Sequence, residues 1–135
     1  TRQVQGVAAG VVSVDSTDAL NGSQLYYTNQ AINQSVTNIG NYVVNMGDQI
    51  NQCIDNVESD SKAGTAAAMA VAGLPQAYLP GKSMMAVAGG VYRGESGYAV
   101  GFSNISDGGN WVIKGTATGN SRGHYGATAG VGYQW

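Results

Sequence analysis

Residues 81–135 alternate in a way that limits what they can fold into. From His124 to Trp135, one parity carries aromatic and apolar side chains, whereas the other is mostly glycine and threonine. A period of two is typical of a β-strand, whose side chains point alternately to two faces. A soluble sheet would carry charges on its second face, but here that face is nearly bare. The pattern therefore predicts a sheet whose small-residue face lies close against something else.

Four antiparallel strands are predicted at 83–92, 97–105, 110–118 and 124–135, separated by turns at 93–96, 106–109 and 119–123 that are rich in Gly, Asn, Asp and Ser. Each is roughly 9 to 12 residues long, and a tilted membrane-spanning strand needs about 9 to 11. An apolar outer band with aromatic ends indicates a transmembrane barrel. The residues predicted to face lipid are Val87, Val91, Tyr98, Val100, Phe102, Trp111, Ile113, Tyr125, Val131 and Tyr133. The small residues predicted to face the lumen are Ala86, Ala88, Gly90, Gly97, Ala99, Gly101, Gly126, Gly130 and Gly132.

A second pattern, with alternating spacings of three and four, precedes the sheet and predicts a coiled-coil helix. β-branched residues occur at both a and d positions, which favours three strands over two. The alternative is an amphipathic helix packed on a globular core, but such a helix usually carries a wider apolar stripe. The predicted trimer seam consists of Leu25, Asn29, Ile32, Val36, Ile39, Val43, Met46, Ile50, Cys53 and Val57.

The two patterns together predict how copies of the chain assemble. Four strands cannot close a membrane barrel, and an open sheet would leave unpaired backbone groups in lipid. Three copies give a homotrimer with a twelve-stranded barrel, within the ~8 to 26 strands of bacterial barrels. Three helices then fill the lumen, which explains the bare inner face. The alternative is a soluble β-meander whose apolar face packs on its own helix.

The chain accordingly divides into four predicted segments. These are a neck or connector at 1–23, a coiled-coil stalk at 24–62, a lumen helix and linker at 63–80, and the anchor at 81–135. Thr1 is not a start methionine, so the sequence is expected to be a fragment of a longer protein or a processed product.

Composition excludes several functions. Only 10% of residues are charged, against roughly 25% in a typical soluble domain. A net charge of -2 provides no basic surface for nucleic acid. With one His and one Cys, no catalytic triad or metal cluster is expected, so the prediction is neither an enzyme nor a cofactor-binding protein. Cys53, alone, cannot form an intrachain disulfide.

Particular motifs give the chain a family resemblance. The segment VAAG at 7–10, followed by DALNGSQL at 18–25, resembles a neck that joins a β-rich head to a coiled-coil stalk. With the heptads and the glycine-rich tail ending in an aromatic residue, the chain resembles the C-terminal end of a trimeric autotransporter adhesin with a YadA-like anchor.

That resemblance implies localisation in the Gram-negative outer membrane, with stalk and neck on the cell surface. It implies four partners, namely two further copies of the chain, outer-membrane lipid, the barrel assembly machinery and the protein's own exported passenger. Trp135 would belong to the assembly signal, and Ala63, Gly64, Thr65 and Ala66 resemble the segment that passes as a hairpin during export. A soluble trimeric fibre segment and a small oligomeric porin with a plugged lumen are the alternatives.

Overall fold

The computed structural model describes all residues from 1 to 135. It contains one helix, α1 (Gly22–Ala72), and four strands, β1 (Ser83–Tyr92), β2 (Glu95–Ile105), β3 (Trp111–Asn120) and β4 (Tyr125–Tyr133). One long helix and four antiparallel strands per chain confirm the predicted fold class at the level of a single chain. The chain divides into two compact units, residues 1–51 and 52–135.

The first unit contains an irregular segment and the start of α1, where side chains satisfy the free backbone amides. The Asn21 Oδ1 atom accepts a hydrogen bond from the Gln24 amide at 3.1 Å, and the Gln24 Oε1 atom accepts one from the Asn21 amide at 3.2 Å. This reciprocal pairing is the arrangement of a capping box. Gln24 also bonds both backbone groups of Gly10, which holds the preceding segment against the first helical turn.

The second unit contains a four-stranded antiparallel meander in the order β1-β2-β3-β4, so β1 and β4 are its edges. The β1–β2 turn has only Arg93 and Gly94 between the strands, with φ angles of 48° and 88°. Two successive positive φ angles fit the type I′ turn that matches strand twist. Because this turn is so short, Glu95 and Ser96 belong to β2, although the sequence pattern had assigned them to the turn.

The last part of α1 packs on this sheet through small side chains. Ala63, Ala66 and Ala70 are fully buried, and Ala70 belongs to a core cluster with Leu74, Ala86 and Ala99. Alanine side chains allow the helix and the sheet to approach closely. No helix of the structure combines the length and the apolar character that a membrane span requires.

Candidate functional site

The predicted lumen-facing residues lie on one face of the sheet, as their register requires. Ala86 pairs with Gly101, Ala88 with Ala99, and Gly90 with Gly97 across β1 and β2. On β4, Gly126, Gly130 and Gly132 pair with Thr118, Lys114 and Val112 of β3. Directly paired residues share a face of the sheet, so the small-residue parity forms one continuous surface.

Helix α1 contacts this small-residue face at backbone distance. A Cβ atom added at Gly90 would lie 2.7 Å from the Ala66 carbonyl oxygen, and one at Gly97 would overlap the backbone of Ala66 and Ala67. At Gly101 the nearest atom would be the Leu74 Cδ1 atom, at 3.0 Å. At Gly90 and Gly97 the sheet can therefore accept the helix only because no Cβ atom is present.

Polar contacts on the same face were not predicted from sequence. The hydroxyl oxygen of Ser103, which is 2% exposed, accepts a hydrogen bond from the Ala77 amide at 2.8 Å. The Thr116 and Thr128 hydroxyls hydrogen-bond at 2.5 Å. Strand parity places all three side chains on the small-residue face, but the Ser103 bond joins residues far apart in sequence, which periodicity does not reveal.

The opposite face of the sheet is apolar and uncovered within the chain. All ten residues predicted to face lipid are exposed. Trp111 and Tyr133 pack edge to face with ring centroids 5.0 Å apart, and the Tyr98 ring lies over Gly119. The meander whose apolar face packs on its own helix is therefore wrong, because the helix packs on the small-residue face.

The apolar residues of the predicted trimer seam also have no cover within the chain. Leu25, Ile32, Ile39, Ile50 and Val57 are each more than half exposed. Isolated helices gain most of their stability by packing an apolar face. The seam therefore needs a partner helix, as the heptad pattern requires, while its contacts in an assembly stay a prediction.

The chain terminus is held at the end of the sheet where β1 begins. The Gln134 amide donates to the Asn110 carbonyl oxygen at 2.7 Å, and the Asn110 Nδ2 atom donates to the Gln134 carbonyl oxygen at 2.9 Å. Trp135 beyond them is fully exposed. The structure thus presents an aromatic ring at the C-terminus without burying it.

Both ion pairs of the second unit involve charged side chains of α1 that lie just before its buried alanines. Glu58 and Lys62 form an ion pair at 2.5 Å. The hydrogen bond from Lys62 and then its charge lower the pKa of the Glu58 carboxyl, and Arg93 on the β1–β2 turn adds to the effect. No cluster of three His, Cys, Asp or Glu side chains with metal-binding geometry occurs in the chain.

Comparison with known proteins separates the chain into two matching parts. Residues 75–135 match the YadA-like membrane anchor domain, and residues 3–48 match the coiled stalk of trimeric autotransporter adhesins. The chain is 56% identical over 139 residues to the autotransporter adhesin NhhA of Neisseria meningitidis serogroup B, across 96% of the chain and 23% of that protein.

More distant relatives match the same region. The autotransporter adhesin EhaG of Escherichia coli O157:H7 is 39% identical across all of the chain and 8% of its own length. The trimeric autotransporter adhesin AtaA of an Acinetobacter species is 29% identical across 96% of the chain and 5% of its own length. The chain thus spans less than a quarter of the curated relatives it matches.

Proposed function

The chain belongs to the trimeric autotransporter adhesins, and we propose that three copies close one barrel, which exports the passenger of the same protein and then displays it. The family places the anchor in the Gram-negative outer membrane with the stalk on the cell surface. Adhesion to host or abiotic surfaces is proposed for the whole protein.

The observation that carries this proposal is that the two faces of the sheet have different surroundings. The helix occupies the small-residue face, and every large side chain of the other face is exposed. In lipid, the unpaired edges β1 and β4 would each cost several kcal/mol per unsatisfied backbone group. Pairing β4 of one copy with β1 of the next satisfies both edges and closes the barrel.

The exposed seam supports three as the number of copies. Ile and Val occupy a positions such as Val43 and Ile50, and Ile also occupies d positions such as Ile32 and Ile39. Three seams facing one axis would bury these side chains. Each buried Val or Ile side chain contributes about 1.5 to 3 kcal/mol relative to an exposed one.

The finer assignments belong to the same proposal. Residues 1–23 act as the neck, 24–62 as the stalk, 63–80 as the lumen helix and linker, and 81–135 as the anchor. The small residues from Ala63 to Ala66 let the chain pass as a hairpin while it is exported. The exposed Trp135 is available to the barrel assembly machinery. The relatives are adhesins, which supports a role without catalysis or a cofactor.

A gel of the outer-membrane fraction tests the assembly. The sample is run with reductant, either unheated or boiled, so that Cys53 crosslinks do not contribute. We expect an unheated band at three times the chain mass that boiling converts to monomer. A monomer found only in the soluble fraction would overturn the shared barrel.

A further inference from the structure

The β3–β4 turn, at the end of the sheet opposite the C-terminus, is held in one conformation by hydrogen bonds. The Asn120 Oδ1 atom accepts hydrogen bonds from the Arg122 and His124 amides, both at 3.1 Å. The neighbouring Ser121 amide donates to the Ser96 carbonyl oxygen at 2.9 Å, which ties the turn to the start of β2. The backbone of Arg122 is therefore held in place from both sides.

From this turn, the Arg122 side chain contacts two consecutive turns of α1. Its Nε atom lies 3.1 Å from the Asp60 Oδ1 atom, and its Nη2 atom donates to the Asn56 Oδ1 atom at 3.4 Å. Residues four apart lie on the same side of a helix, so one guanidinium can hold both. They are the only side-chain hydrogen bonds that join α1 to the sheet or to its connecting turns.

The contacts further along α1 are of a different kind. From Ala63 to Ala70 the helix meets the sheet through alanine and glycine, which make steric contacts without charge or hydrogen-bond direction. Such a surface excludes larger side chains from the lumen. It contains no polar group that would define how far the helix has moved along the axis.

Asp60 also marks where the coiled-coil seam ends. It follows Cys53 by one heptad, so it occupies the next d position. In a trimer, three carboxylates at d would approach one axis and repel one another. Pairing each carboxylate with an arginine on the wall favours helices that separate at this level and lie against the sheet.

We propose that Arg122 is a positioning residue, which fixes how far α1 has moved along the barrel axis when export ends. It thereby closes the lumen at the cell-surface end, which is the end opposite Trp135. The inference rests on the proposed trimeric barrel. During export the small-residue segment slides past the wall until Asn56 and Asp60 reach the turn. The Arg122 guanidinium then binds both side chains, and the helices remain in the lumen and block it.

Charge reversal and its rescue test this role in the full-length protein in outer membranes. Arg122→Glu and Asp60→Arg are made singly and together. The readouts are the amount of heat-sensitive trimer, the surface display of the passenger, and the ion conductance of purified trimers in planar bilayers. Each single variant is expected to keep the trimer but raise mean conductance about fivefold, since three exposed pairs become repulsive. The double variant is expected to return to within about twofold of wild type.

Matched controls reverse charges that form no ion pair with the partner element. Asp48→Arg and Asp55→Arg change two exposed positions on α1 whose carboxylates form no hydrogen bond or ion pair. Both should leave the conductance at the wild-type level. If the single variants behave like these controls, or if the double variant is no better than the singles, Arg122 does not set the register.

A neutral variant covers the case in which charge reversal prevents assembly. Arg122→Gln keeps a hydrogen-bond donor but removes the charge, so a folded trimer with an intermediate conductance is expected. Wild-type conductance in Arg122→Gln trimers overturns the role of the charge. Absence of the wild-type trimer itself would instead contradict the proposed function, so the two failures are distinguishable.

Discussion

At the scale of single residues, glycine is required on one face of β1 and β2 and is replaceable on the other. Gly97 faces the helix, where an added Cβ atom would overlap the backbone of Ala66 and Ala67. Gly89 lies on the other face, where the nearest atom to an added Cβ would be 3.7 Å away. Backbone atoms cannot move aside as a flexible side chain can, so only one of these glycines requires the missing Cβ.

We therefore expect Gly97→Ala to destabilise the helix-filled barrel by about 1 to 3 kcal/mol, the usual cost of overpacking. The temperature at which the trimer dissociates on an SDS gel should fall accordingly. Gly89→Ala is the matched control and should dissociate within a few degrees of wild type. Equal dissociation temperatures for the two variants would contradict the close approach of helix and sheet.

Gly119 carries a second steric demand, on the outer face. An added Cβ atom would overlap the Tyr98 ring, which covers this glycine across the β2–β3 pair. Gly119→Ala should displace the ring and reduce stability by about 1 kcal/mol, within the range of cross-strand pairs. The measurement is the dissociation temperature of the trimer on an SDS gel, and Gly115→Ala on the same face should leave that temperature unchanged.

Parity along the chain predicted which face each of these side chains occupies. It did not predict that Ser103 would bind the Ala77 amide or that Arg122 would reach Asp60, because those pairs are 26 and 62 residues apart. Periodicity determines the direction of a side chain. It contains no information about which distant group lies there.

At the scale of elements, the heptad seam is the part of α1 that requires a partner. Ile39 is exposed in the single chain at a predicted d position, whereas Asn41 lies at an f position on the opposite side. Ile39→Ala should cost about 2 to 5 kcal/mol per chain if three seams bury it. Asn41→Ala should stay within about 0.5 kcal/mol.

Urea unfolding of the trimer, followed by helical circular dichroism, separates these outcomes. We expect the urea concentration at the unfolding midpoint to fall for Ile39→Ala and to stay unchanged for Asn41→Ala. Similar midpoints for both variants would show that the seam is not buried in the assembly.

The strands were predicted in number and order, but their ends shifted. β2 begins at Glu95 and β3 extends to Asn120, beyond the predicted 97–105 and 110–118. Turn-forming residue types identify where the chain reverses. How many of them pair as strand depends on turn geometry, here on the positive φ angles of Arg93 and Gly94.

At the scale of the whole molecule, disulfide formation by Cys53 can reveal whether the number of copies is odd. Cys53 is exposed in the single chain at a predicted d position, where three thiols would meet at one axis. A disulfide joins only two sulfurs, so oxidation should link at most two chains of each trimer. After mild oxidation, boiled samples without reductant should show dimer and monomer bands but no covalent trimer.

Cys53→Ser removes the dimer band and leaves the unheated trimer unchanged if Cys53 forms the crosslink. Complete conversion to dimers would instead indicate an even number of chains. The sequence predicted the thiol's place in the seam, whereas the number of chains is a property of the assembly that a single chain does not display.

The single helix that runs from Gly22 to Ala72 has a mechanical consequence. Traction on the surface-exposed end of the stalk is transmitted along α1 to the linker, and from there to Ser83 at the inner end of β1. Ser83 is then pulled towards Tyr92, so the β1–β2 pairs would open one after another from Ser83 with Asn104, and the close packing of α1 from Ala63 to Ala70 on the sheet resists the load before they do. The packing of the helix on the sheet therefore protects the β1–β2 pairing from traction on the stalk.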